Sequence, residues 1–115
     1  MDNFKGHDLI RLQPGDNDVQ YDFDITTCTT AIANDGFLPF GRSVSSVAVS
    51  GYQEDNVTLA NDMISGSISE SADVVSVPLK YPAAGEGRYK LRFTLTLDDS
   101  STQEADFNRI QAENL

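Results

Sequence analysis

From Val74 to Leu97 the chain reads VVSVPLKYPAAGEGRYKLRFTLTL. Val75, Val77, Leu79 and Tyr81 are apolar at every second position, and Tyr89, Leu91, Phe93, Leu95 and Leu97 resume the same parity after a break. Successive side chains of an extended chain point to opposite faces, so each run has one apolar face and one polar face. Ser76, Pro78 and Lys80 fall on the polar face of the first run, and Lys90, Arg92, Thr94 and Thr96 on that of the second. The pattern predicts two half-buried strands. Between them, Pro82 to Arg88 supplies a fixed φ and two glycines free to take positive φ, which is what a chain reversal needs. The spacing therefore predicts a β-hairpin with a loop longer than two residues. A lone hairpin is marginally stable in water, so its apolar face must lie on other strands.

Those strands are sought elsewhere in the chain. Val19, Tyr21, Phe23 and Ile25 alternate with Gln20, Asp22 and Asp24 and predict a strand with an acidic solvent face. Ser43 to Ser50 is rich in small and β-branched residues, with Val47 and Val49 in phase and Val44 out of phase, so a bulge or late start is expected there. Val57 and Leu59 suggest a short strand, Met63, Ile64 and Ile68 a ragged one, and Ser65 to Ser71 a loop or edge. Asp98 to Ser101 reads as a turn and Glu104 to Ile110 as a last strand, with Ala105 and Phe107 on one face. Apolar residues nowhere hold helical spacing over three turns. About seven short strands separated by turn chemistry predict an all-β fold, an antiparallel β-sandwich. Its expected limits are residues 14–110, with 1–13 an N-terminal arm or edge strand and 111–115 a polar tail.

Charge narrows the partners. With 18 acidic against 8 basic side chains the net charge is −10, which argues against nucleic acid and anionic membranes, because phosphate contacts rely on Lys and Arg. The single cysteine, Cys28, leaves no internal disulfide. No run approaches the length of a membrane span and the first residues lack a secretory pattern, so an unprocessed, soluble chain folding in the cytosol is expected.

The residues offer little to catalysis. His7 is the only histidine, so a nucleophilic triad would need it to fold back on the core, and zinc ligation lacks partners. Gly85-Glu-Gly87 precedes a strand rather than a helix, so it is no phosphate loop. Asp98-Asp99 could pair across a cleft as in a glycosidase, but such pairs arise by composition in an acidic chain. Asp16, Asp18, Asp22 and Asp24 invite calcium, yet the glycine-bearing spacing of a calcium loop is missing. The expectation is no enzyme, no metal and no cofactor.

Interface residues are better candidates. Leu9 and Ile10 belong to an edge strand or to an arm lying on a neighbouring subunit. Phe37, Leu38 and Phe40 form an apolar knot in the irregular Thr26 to Arg42 segment, and either cap the core or anchor another protein, where aromatic residues carry much of the binding energy. Lys80, Lys90 and Arg92, with Arg88 at the expected turn, gather four of the cations on one element. They either pair with acidic neighbours such as Glu104 and Asp106 on the last strand or dock an acidic partner, such as Asp22 and Asp24 of another copy.

Pro14-Gly-Asp-Asn-Asp-Val-Gln-Tyr-Asp-Phe-Asp-Ile25, Gly41-Arg-Ser-Val-Ser-Ser-Val-Ala-Val49, Val74-Val-Ser-Val-Pro-Leu79 and Gly87-Arg-Tyr-Lys-Leu-Arg-Phe-Thr-Leu-Thr-Leu97 together resemble small Ig-like virion proteins of tailed bacteriophages, including fiber-tail adaptors. The resemblance implies an Ig-like β-sandwich and a structural role in the virion, as a tail or fiber adaptor or as capsid decoration. It implies assembly in symmetric copies beside tail, fiber or major capsid proteins, and no catalysis. The tryptophan and cysteine pair of antibody domains are absent, so the likeness is one of architecture. The Thr26 to Phe40 segment is longer than that pattern expects. A free-standing Ig-like module that binds a ligand through its loops is the competing expectation.

Overall fold

The computed structural model describes residues 9–25, 38–55, 57–71 and 74–114. Among them the strands are β1 (Ile10–Leu12), β2 (Val19–Asp24), β3 (Val44–Gln53), β4 (Ser69–Ser71), β5 (Val74–Leu79), β6 (Gly87–Leu97) and β7 (Thr102–Ala112), with one 3₁₀ turn at Asn61–Met63. They form two sheets, in the orders β1-β7-β6-β3 and β2-β5-β4. Every pairing is antiparallel except that of β1 with β7. The fold is all-β. His7, Cys28 and Phe37 lie outside the described residues.

The Val74–Leu97 stretch supplies two strands, as its alternation predicts, but no hairpin. β5 pairs with β2 and β4, while β6 pairs with β3 and β7, so the connection from Pro82 carries the chain from one sheet to the other. Parity alone cannot tell these cases apart. Strands that face each other across a core turn their apolar sides inward just as hairpin neighbours do. Val75, Val77 and Leu79 on one side and Tyr89, Leu91, Phe93, Leu95 and Leu97 on the other are all buried. The crossing is held by the Tyr89 hydroxyl, which donates to the Gly85 carbonyl at 2.7 Å, and by the Asp62 carboxylate, which accepts from the Ala83 amide at 2.6 Å.

Phe23 joins the two sheets. Its ring on β2 lies 5.0 Å from that of Phe93 on β6 and 5.2 Å from that of Phe107 on β7, tilted against both. Tilted aromatic pairs at this spacing gain from quadrupole geometry as well as burial. Ile25, Leu12, Leu38 and Met63 complete the packing around them.

Two slips in the ladders matter. The register of β3 on β6 shifts between Val44 and Ser46, which is the bulge that the out-of-phase valine predicts. The register of β7 on β6 shifts as well, with Tyr89 opposite Ile110 but Leu91 opposite Phe107. Asn108 and Arg109 thus share the space facing Lys90, and Ile110 and Ala112 return to the core although they are out of phase with Ala105 and Phe107.

The chain ends are part of the sheet. Ile10 and Leu12 are buried, β7 continues to Ala112, and the Glu113 amide donates to the Leu12 carbonyl at 2.9 Å. Arg11 and Glu113 add an ion pair at 2.8 Å. Of the two expectations for residues 1–13, β1 is the edge strand, beside β7, so the sandwich includes Ile10–Leu12, and β7 runs two residues past the expected limit of 110. Val57 and Leu59 form no strand: Leu59 makes one bridge to Tyr52, and both side chains are exposed. Gly51 explains how close that segment lies, since a Cβ there would stand 2.6 Å from the Ala60 carbonyl oxygen.

A candidate protein interface

The apolar knot is divided by the structure. Leu38 has no exposed surface and belongs to the core, whereas Phe40 is 54% exposed. What separates them is a turn. The Arg42 amide donates to the Pro39 carbonyl at 3.2 Å, and Gly41 takes φ +79°, which is the third position of a type II turn. Phe40 occupies the second, outward corner. The turn is tied down on both sides, by Leu38 in the core and by Arg42, whose guanidinium reaches Asp98 and Asp99, each at 3.5 Å. An aromatic ring is thereby held in solvent on a fixed support. Arg42 was not among the sequence candidates, and its partners lie too far along the chain for spacing to indicate them.

The cations do not form one stripe. Lys80 follows the end of β5, where its amide donates to the Met63 carbonyl at 2.9 Å. It belongs to the three-stranded side, so the sheet crossing separates it from Lys90 and Arg92 on β6. Those two share Asp106 of β7, at 3.1 Å from the Lys90 ammonium and 3.0 Å from the Arg92 guanidinium. The Tyr52 ring lies beside both, its centroid 5.0 Å from the Arg92 guanidinium carbon and 5.8 Å from the Lys90 ammonium. Lys90 is 6% exposed, which removes it from any docking surface. Burial pushes the Asp106 carboxyl up, but the hydrogen bonds and charges of Arg92 and Lys90 outweigh it and hold the group below the usual carboxylate range. The hydrogen bond to Asp106 in turn raises the Arg92 guanidinium. Of the two acidic residues expected opposite, Asp106 takes both cations, and Glu104 is registered with Thr94. This cluster is a structural clasp on the outer sheet face, in which Tyr52 adds a cation–ring contact to each of the two cations.

Arg88 has a different neighbourhood. It is exposed and lines a depression of about 330 Å³ with Leu9, Asn108, Arg109, Ile110 and Gln111. Among the described residues neither Arg88 nor Arg109 makes an ion pair. Ile10, by contrast, is 3% exposed and serves the core. Arg109 escapes sequence reasoning because it sits in the β7 bulge, where alternation no longer assigns a side. Of the sequence candidates among the described residues, those left at the surface are thus Phe40 at its turn and Arg88 beside Leu9, which Arg109 joins. Among the described residues no three His, Cys, Asp or Glu side chains converge in a way that could hold a metal ion. No family model matches the chain, and none of the curated proteins matches it.

Proposed function

We propose that the chain is a structural component of a tailed bacteriophage particle, an Ig-like β-sandwich that joins or stabilises virion parts through contacts with tail, fiber or capsid proteins. The observation that carries the reading is Phe40, an aromatic side chain 54% exposed at the outer corner of a turn whose backbone is held on both sides. Scattered exposed apolar residues are ordinary on protein surfaces. A backbone already held in one turn costs less to order on binding, and aromatic side chains dominate interface energetics. Arg88 and Arg109, which make no ion pair among the described residues, suit an acidic partner on a second face.

The Ig-like architecture has two supports. That architecture sets its second, fifth and fourth strands together in one sheet and its third, sixth and seventh in the other. The orders β2-β5-β4 and β3-β6-β7 follow this plan, with β1 moved to the edge of β7. The Tyr89 bond back to the Gly85 carbonyl, at the crossing into β6, has the form of the tyrosine corner found where such domains pass between sheets.

Phe40→Ser tests the reading. The substitution lies on the surface and is expected to change folding stability by no more than about 0.5 kcal/mol. Loss of a central aromatic contact of about 2 kcal/mol weakens association about 30-fold. In particles assembled with the variant, immunoblotting should therefore show the chain depleted while its melting curve is unchanged. Full incorporation of Phe40→Ser would contradict the role given to this turn.

A further inference from the structure

β3 lies at the edge of its sheet, with β6 on one side. On the other side, among the described residues, only its last residues are covered. The Ala60 amide donates to the Gly51 carbonyl at 2.8 Å, and the Gln53 amide to the Thr58 carbonyl at 2.9 Å, so Gly51 and Gln53 turn their backbone groups away from β6. The ladder runs without a slip from Ser46 to Gln53, and backbone direction alternates along an antiparallel strand. Val47 and Val49 therefore present their amides and carbonyls to the same open side. Among the described residues no partner meets them there.

Exposed edges are ordinarily guarded by lysine, proline or inward charge, because they template strand addition. Here the guard is missing: Ser43 to Gln53 contains no charged residue and no proline, in a chain of net charge −10. Two copies meeting elsewhere on so acidic a surface bring like charges together, whereas at this edge they bring none. Ser46-Val47-Ala48-Val49-Ser50 also reads the same in both directions, the symmetry that a two-fold antiparallel contact requires.

We propose that the open edge of β3 pairs with the same edge of a second copy, antiparallel about a two-fold axis at Ala48. Val47 and Val49 of each copy exchange backbone hydrogen bonds with Val49 and Val47 of the other. Ser46 comes opposite Ser50, and the half-buried valines of both copies adjoin on the inner face, as β-branched cross-strand pairs do. The contact ends at Ser45, where the bulge turns the strand, and at Gly51, where the 58–61 segment already occupies the edge. The proposal goes beyond the particle reading and needs only the purified chain, so either can fail without the other.

Ala48 is exposed and registered with Thr94 on the outer face, so Ala48→Asp and Ala48→Lys should both leave the monomer folded by circular dichroism. Across the proposed axis each would set like charges directly opposite. Sedimentation equilibrium should find the full-length wild type dimeric and each variant alone at least about tenfold weaker in self-association. An equimolar mixture of the two variants should regain the dimer through opposite charges, a result that a merely structural role for Ala48 does not produce. Amide exchange of the wild type supplies a second readout, with Val47 and Val49 protected at high concentration and released on dilution. A monomeric wild type at its highest soluble concentration, a dimer that both variants leave intact, a mixture that does not pair, or exchange independent of concentration would each overturn the proposal. The same holds if this edge takes up a strand of a different protein while the chain itself stays monomeric.

Discussion

Phe23→Ala is expected to cost about 3–5 kcal/mol of folding stability, the range for deleting a fully buried aromatic side chain. The residue is the point at which the two sheets meet, with Phe93 at 5.0 Å and Phe107 at 5.2 Å across the core. Removing it takes one aromatic contact from each ring and opens a cavity between the sheets, and neither ring moves freely into it, because Phe93 is laddered to Val49 and Ala105 and Phe107 to Leu91. Small domains hold only about 5–15 kcal/mol in total. Urea titration should therefore show a large fall in midpoint, and in the least stable case a chain unfolded before denaturant is added. A loss under about 1 kcal/mol would mean that the sheets do not pack through this ring.

Asp106→Ala is expected to cost about 2 kcal/mol, and more than Lys90→Met. Removing one partner of a buried ion pair costs about 3–5 kcal/mol when the remaining charge is fully enclosed. The Lys90 side chain is 7% exposed but Asp106 is 31% exposed, so water offsets part of that figure. Lys90→Met leaves Asp106 bound to Arg92, and an apolar chain fits the site beside Tyr52. The order of the two variants is thus a stricter test than either size alone. The pair also fixes a pH dependence. Because the Asp106 carboxyl titrates below its unfolded value of about 3.9, its contribution is complete above that value and disappears as pH falls through the lower, folded one. The acid limb of the wild-type stability curve should be steeper below about pH 4 than that of Asp106→Ala.

How far the chain could be read without coordinates depends on where each residue lies. β2 and β6 were legible because alternation there is uninterrupted, with the apolar face of β6 buried and that of β2 turning inward at Phe23. The bulge at the start of β3 was legible because Val44 breaks phase. The partner of β5 was not, since inward parity is shared by neighbours in a sheet and by strands facing across a core. The Tyr89 hydroxyl bond could have signalled the crossing, as a tyrosine four residues after a glycine at the entry to a strand, but only with the corner motif in mind. The end of β7 was placed two residues short, at Ile110 rather than Ala112, because one extra residue at Asn108 and Arg109 reverses phase and Gln111 and Ala112 then look like the beginning of a polar tail. At the candidate interface, composition marked Phe40 and Leu38 equally. Gly41 placed only a turn nearby, and which of the two side chains went inward was set by contacts from residues distant in sequence. Tyr52 and Arg109 acquire their surroundings from neighbouring strands and had no local signal.

In the proposed function the chain is a built part of a larger particle and acts through its surfaces. The most direct measurement of this proposed role is the chain's copy number in purified phage particles produced from the genome that carries its gene, by quantitative mass spectrometry against the major capsid and tail proteins. A fixed ratio matching the symmetry of one particle component is the expected result. Absence from the particles, or an amount that varies between preparations and washes away, would contradict it.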